Sequence, residues 1–436
     1  MEQYESEQQY LESVRGRSLL PEGFRAATLP ISFYPAERKL DDPLTMNLSA
    51  IVLDEPTVSF AGVFTRNRFP GAPVIVGKKR LEERESQGVF INNKISNVCV
   101  QTGVEDAEAL GSRWGELLSV PSSRLFPAST GVIGWRLPVD EMHKSIPELV
   151  SRLRNAESSR TLYDVSKGIM TTDSYPKVRT AAVGDGRITA TAKGAGMIEP
   201  NMATLLVFAV TDLAVSRGKL RKLFPRIIDE TFNRISVDSD QSTSDTALLF
   251  SSCKKEAFEL ADFEEGLYTV LRDLAVDVVR NGEGTNHVIK VDVYGAGDTG
   301  LAADIGKAIV NSPLVKTAVF GNDPNVGRIV SSFGDYLGNH ADIPSIASLD
   351  LSKVTITLGG EEIFSAGAFT LDENKESRLS AYLKERSLGT FPVTYPRHDK
   401  TVDISVTLGG VRNGPVTVYG SDLSYQYVKE NADYRS

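Results

Sequence analysis

Reactive chemistry in this sequence concentrates at one junction. Lys193-Gly194-Ala195-Gly196-Met197-Ile198-Glu199-Pro200-Asn201-Met202-Ala203-Thr204 is a glycine-rich, proline-containing stretch that runs straight into the apolar Leu205–Val210. A single hydroxyl, that of Thr204, sits where loop meets strand. A strained turn before a threonine lets the hydroxyl attack the preceding carbonyl, take the acyl group onto oxygen and, after hydrolysis, leave a new N-terminus. The freed threonine would hold nucleophile and base on one residue, because an α-amine with a pKa near ~8 is partly neutral at physiological pH. Such chemistry needs no histidine. The plainer reading is a loop entering a core strand, with a β-branched residue suited to it.

Other motifs point less sharply. Gly295-Ala296-Gly297-Asp298-Thr299-Gly300 fits G-x-G-x-x-G after an expected strand, with helix-like Leu301–Val310 next and Asp323 beyond, the layout of a dinucleotide-binding turn. It is equally an ordinary strand-to-helix connection. Neither a Walker A pattern nor H-E-x-x-H occurs, and His143, His287, His340 and His398 lack metal-ligand spacing. Cys99 and Cys253 cannot build a disulfide framework or a thiolate zinc site and are expected to be buried, reduced thiols.

Interleaved helix-like and strand-like segments must position these residues, which predicts an α/β fold. Helices are expected over 105–120, opened by a Thr102–Glu105 capping box, over 219–235, and over 262–280, where Phe263, Leu267, Val270, Leu271, Leu274 and Val278 share a face. Asn281-Gly282 should stop the last of these through a left-handed glycine. Alternation predicts strands at 289–293, 354–358 and 402–408. Residues 372–378 read as a solvated loop or helix start. The first 20 residues read as a poorly ordered extension, and a smaller C-terminal lobe is expected from about 285 to 436. With 436 residues and a formal charge of −9, nucleic acid and anionic membranes are poor partners. The longest apolar run is far short of the ~20 residues that span a bilayer, and the acidic N-terminus lacks a signal-peptide core, so the cytoplasm is the expected compartment.

Several blocks resemble, in order, the ornithine acetyltransferase family, the bifunctional glutamate N-acetyltransferases of arginine biosynthesis. Beside Lys193–Thr204 they are Gly23–Ala27, Ala61–Arg68, Ala128–Gly134, Met170–Lys177, Asp238–Thr246, Gly282–Thr285, Ser312–Gly321 and Tyr427–Ser436. The resemblance spans about residues 20–436. It implies a layered α/β sandwich of the N-terminal-nucleophile-like type with a smaller C-terminal lobe, and autocatalytic cleavage between Ala203 and Thr204. The α fragment would be 21–203 with its extension, and the β fragment would begin with 204–284, completing the sandwich. It implies that Thr204 is acetylated by N-acetylornithine and passes the acetyl group to glutamate, with Thr130 and Gly131 forming the oxyanion hole. Thr171, Lys193, Thr204, Glu283, Asn431 and Ser436 would bind substrate, Lys193 meeting a carboxylate and Glu283 an ammonium. No cofactor or metal is implied, the partners being amino-acid substrates and a second αβ unit in a dimer, with acetyl-CoA left open as a further donor. A family that binds no nicotinamide also removes the dinucleotide reading of Gly295–Gly300.

The sequence departs from the family pattern at Asn92-Asn93-Lys94-Ile95-Ser96-Asn97, at Ser239–Asp245, and at Val326, where an aromatic is usual. These changes leave open a specialised-pathway paralogue that transfers or hydrolyses an acyl group on another amino acid. A non-catalytic binding protein keeping the fold is the remaining alternative.

Overall fold

The computed structural model describes residues 3–155, 159–199, 205–389, 393–409 and 414–432. The chain forms two compact units, Gln8–Asn233 with Asp240–Val278, and Met1–Glu7 with Arg234–Ser239 and Val279–Ser436. The boundary expected near 285 falls just inside the second.

The first unit is built on two sheets. One is four-stranded, in the order Phe24–Phe33, Leu44–Thr57, Ser86–Asn92, Leu125–Ser129. The other is five-stranded, in the order Phe60–Phe64, Thr246–Lys255, Leu206–Leu213, Gly186–Lys193, Lys177–Val183. Their facing side chains form one core, with Ile51, Leu53, Ile91 and Phe126 against Phe208, Val210, Leu248 and Phe250. Phe126 bridges the sheets edge-on to Phe60 and Phe250, each at 5.9 Å between centroids. Every residue of Leu206–Leu213 is buried, as a central strand covered on both faces requires.

Helices cover the outer faces. Gly103–Leu118 and Val139–Arg154 place Leu110, Trp114, Met142, Ile146 and Leu149 on the four-stranded sheet. Leu260–Arg280 lies on the other, where Gly266 comes so close that a Cβ would meet Val183 at 2.9 Å. Four layers, helix–sheet–sheet–helix, are the expected sandwich.

The second unit carries a seven-stranded sheet, in the order Ala368–Phe369, Glu361–Ser365, Thr355–Leu358, Val402–Thr407, Val288–Tyr294, Val416–Ser421, Ile235–Ser236. Thr299–Asn311 and Val326–Asn339 cover it through Ile305, Ile309, Ile329 and Phe333. The three strands expected from alternation are all present, and Gly359-Gly360, with positive φ at both residues, turns Thr355–Leu358 into Glu361–Ser365.

Four local expectations need correction. Residues 7–17 are a helix, because Tyr10 and Val14, one turn apart, are buried and the Tyr10 hydroxyl donates to the Pro176 carbonyl at 2.7 Å. Thr102 caps no backbone amide; its hydroxyl donates to Asp106 at 2.8 Å. Gly282 is not left-handed. It is needed because a Cβ would meet the Thr285 hydroxyl at 2.4 Å, and Gly284 takes the positive φ of 65°. Of the two readings of residues 372–378 the helix start holds: they open the Glu373–Glu385 helix, which Asp372 caps by accepting from Lys375 N–H. Cys99 and Cys253 are exposed free thiols at positive φ, the latter in the bulge between Ser251 and Lys255. No helix among the described residues is long and apolar enough to cross a membrane.

Candidate active site

The glycine-rich turn of the second unit has the shape a dinucleotide fingerprint demands, with Gly295 and Gly297 at positive φ before the Thr299–Asn311 helix. The Asp298 carboxylate, however, accepts the Leu301 N–H at 2.7 Å and so occupies the helix N-terminus a phosphate would need. Nor does a histidine offer a base there. His287 is buried with both ring nitrogens engaged, by Asp422 at 2.8 Å and the Leu383 carbonyl at 3.2 Å.

Most of the residues expected to carry acyl transfer lie in the first unit, at the ends of paired strands. Ser129 ends a strand paired in parallel with Ser86–Asn92, so Thr130 and Gly131 emerge beside Asn92. Thr130 N–H donates to the Asn92 carbonyl at 3.1 Å, and the Ser129 hydroxyl donates to Asn92 Oδ1 at 2.6 Å. Asn92 Nδ2 donates in turn to the Ile95 carbonyl at 2.8 Å. Gly131, at φ 128°, is pressed so closely on Lys94 that a Cβ would stand 2.1 Å from the Lys94 carbonyl carbon. The Val132 N–H donates to the Lys94 carbonyl at 2.8 Å, closing the double loop. Among the described residues no hydrogen bond takes the Thr130 hydroxyl or the Gly131 N–H.

Asn93 ties this loop to the next site segment. Its Oδ1 accepts the Asn47 N–H at 2.7 Å and its Nδ2 donates to the Met170 carbonyl at 2.8 Å. Thr171 follows, its N–H donating to Asp173 Oδ2 at 3.1 Å. Asp173 Oδ1 accepts from the Lys177 ammonium at 2.6 Å and from Gly194 N–H at 2.8 Å. Thus Asp173 fixes both Thr171 and the start of the Lys193–Thr204 segment. Burial alone would raise its pKa, but the cations of Lys177 and then Lys193 outweigh it and hold the carboxyl at about 2.

Lys193 is buried and is the register partner of Leu206 across two antiparallel strands. Leu205, which follows Thr204 in the chain, accepts the Thr246 N–H at its carbonyl at 3.0 Å. Ala203, Thr204 and Ser436 lie outside the described residues. In the second unit Glu283 is buried and accepts from Asn431 Nδ2 at 2.7 Å, which brings two of the expected substrate residues together. Gly284, at φ 65°, makes room for the Tyr427 backbone, which a Cβ would meet at 2.3 Å.

Sequence reasoning missed Asp173 and Asn92–Asn93 as organisers. Asp173 sits within the Met170–Lys177 block, and its i,i+4 spacing to Lys177 was the available signal. Asn92 and Asn93 carried none beyond belonging to a stretch that departs from the family pattern.

The ArgJ family model matches residues 36–436. The arginine biosynthesis bifunctional protein ArgJ of Nitratidesulfovibrio vulgaris is 38% identical over 96% of this chain and 100% of its own length. Glutamate N-acetyltransferase Oat2 of Streptomyces clavuligerus is 34% identical over 95% of this chain and 98% of its own. A crystal structure of the bifunctional ArgJ protein of Bacillus halodurans, 33% identical, aligns with a TM-score of 0.43 over 52% of this chain and 98% of that one. A match of the family model to nearly the whole chain, with relatives this similar along their full length, makes this protein a member of the ArgJ family.

Proposed function

We propose that this protein is a self-cleaving N-acetyltransferase of arginine biosynthesis that moves an acetyl group from N-acetylornithine to glutamate through Thr204. The observation that carries this reading is the register of Lys193 against Leu206, which ties a buried cation to the strand that Thr204 enters. The Thr130–Gly131 donors belong to the same unit and are linked to the Lys193 segment through Asn93, Met170 and Asp173.

In maturation the Thr204 hydroxyl oxygen attacks the Ala203 carbonyl carbon, the C–N bond breaks, and the hydroxyl proton passes to the departing Thr204 nitrogen. Water then hydrolyses the ester, leaving the Ala203 carboxylate and a Thr204 with free hydroxyl and α-amine. In transfer the amine receives the hydroxyl proton as oxygen attacks the acetyl carbon of N-acetylornithine. Collapse breaks the acetyl–nitrogen bond and hands that proton to ornithine. The amine of glutamate attacks the resulting ester, and its proton restores the Thr204 hydroxyl. The Thr130 hydroxyl and Gly131 N–H stabilise the oxyanion in each step, a donor of this kind being worth roughly 3–4 kcal/mol.

Lys193 takes the substrate carboxylate and Glu283 the ornithine side-chain ammonium, with Thr171, Asn431 and Ser436 orienting the rest. The working form is a cytoplasmic dimer of αβ units. One observation favours a different acceptor as a second reading. The exposed side chain of Lys94, in the stretch that departs from the family pattern, puts a cation beside the Gly131 loop.

Incubation with N-acetylornithine and glutamate tests the reaction. Ornithine and N-acetylglutamate formed in equal amounts support it, and the same assay with acetyl-CoA tests the second donor. Ornithine with free acetate would make water the acceptor, and no turnover with any N-acetyl amino acid would defeat the proposal.

A further inference from the structure

Three consecutive residues leading into the Thr246–Lys255 strand, Thr243, Ser244 and Asp245, each have a buried side-chain oxygen with no hydrogen-bond partner among the described residues. An unmade buried hydrogen bond costs about 1–3 kcal/mol, so three in succession mark a place where polar groups belong. Asp245 is the most demanding of them, being 1% exposed and a carboxylic acid. One part of the carboxyl is satisfied: the Ser242 and Thr65 hydroxyls and the Leu205 backbone N–H face it. Leu205 is therefore held on both sides, its N–H by Asp245 and its carbonyl by Thr246 N–H at 3.0 Å. The unsatisfied oxygen is Oδ2.

Lys193 is the charged group that faces Asp245, and it also faces Asp173. The two carboxyls around this one ammonium are driven in opposite directions. Asp173, with a second lysine and two backbone amides, is held ionised at about 2. Burial pushes Asp245 well above the usual carboxylate range, and the hydroxyls, the Lys193 cation and the Leu205 amide do not overcome it. Environments that separate two neighbouring carboxyls in this way assign them different tasks. Were both ionised, Lys193 would be neutralised twice over and have little charge left for a substrate carboxylate.

We propose that Asp245 is a positioning residue that works as a neutral acid, accepting the Leu205 N–H and thereby fixing the residue joined to it, Thr204, while its second oxygen keeps a proton as a hydrogen-bond donor. The proposal rests on the reading of Thr204 as nucleophile. Asparagine has the same shape, with an acceptor for Leu205 and a donor on the other side.

The test compares wild type, Asp245→Asn and Asp245→Ala for self-cleavage by intact mass and for transfer from N-acetylornithine. Asp245→Asn is expected to cleave and turn over within about tenfold of wild type, since its hydrogen bonds are replaced in kind. Its pH–rate profile should superimpose on that of wild type if residue 245 works uncharged. Asp245→Ala is expected to slow both steps by about 100-fold, in kcat with little change in KM, as displacement of the nucleophile would do. An alanine variant as active as wild type overturns the proposal. So does a folded asparagine variant as slow as alanine, which would mean that the charge is needed. If the alanine variant does not fold, the asparagine variant decides alone: near-wild-type cleavage upholds the neutral acid and its loss rejects it. A wild type that stays uncut removes the Thr204 reading and this one with it, whereas cleavage in wild type and alanine variant alike removes this one only.

Discussion

Asp173 and Lys177 form an ion pair at 2.6 Å in which both side chains are wholly shut off from water. Because the same Asp173 oxygen also receives Gly194 N–H, the pair anchors the segment that leads to Thr204. Removing one member of a buried pair strands the other charge, so Lys177→Met should destabilise the protein by about 3–5 kcal/mol. Chemical denaturation of wild type and variant measures this.

The same carboxyl gives a pH dependence. Its folded pKa, about 2, lies below its unfolded value, so its stabilisation is present above the unfolded value, near ~4, and is lost as pH falls towards 2. The contribution is about 2 kcal/mol. Asp173→Asn should flatten the fall in unfolding free energy between about pH 4 and pH 2 relative to wild type. An unchanged slope would show that the carboxyl is not depressed.

Gly131 offers a sharper test of the oxyanion donors. A Cβ at this position runs into the Lys94 backbone rather than a movable side chain, and φ 128° already excludes other residues. Gly131→Ala should therefore displace the Gly131 N–H and lower transfer by about 100-fold or more. Thr130→Ser should retain activity and Thr130→Val should lose it, because the Thr130 N–H is taken by the Asn92 carbonyl and the hydroxyl is the donor left to this residue in the proposed reaction.

Under the proposed reaction Glu283 and Asn431 belong to recognition rather than bond breaking. Glu283→Gln keeps the contact with Asn431 but removes the charge that meets an ammonium. The expected result is a rise in KM for N-acetylornithine of about 10–100-fold with cleavage at Thr204 undiminished, as for a charge-assisted hydrogen bond made weaker. Steady-state kinetics alongside intact mass reads both.

Much of the fold was legible because its signals are local. The apolar face of Leu260–Arg280 and the alternation in Val288–Tyr294 report their own partners, one helix turn or one strand step away. The site residues expected from the sequence came from short blocks, such as Thr130–Gly131 or Lys193–Thr204. Asp173 bonding Gly194 and Asn431 bonding Glu283 bridge 21 and 148 residues, respectively, and no periodicity encodes them. The helix over residues 7–17 was missed for a related reason. It is polar overall, and Tyr10 and Val14 are its only buried residues, two anchors that look like nothing until the Pro176 carbonyl is placed.

The most direct test is the intact mass, under denaturing conditions, of purified wild type beside Thr204→Ala. Two fragments matching residues 1–203 and 204–436 in the wild type, with the variant uncut, are expected if Thr204 is the nucleophile that frees its own amine. A wild type that remains a single chain on prolonged incubation would contradict it and leave an ArgJ-family fold without this chemistry.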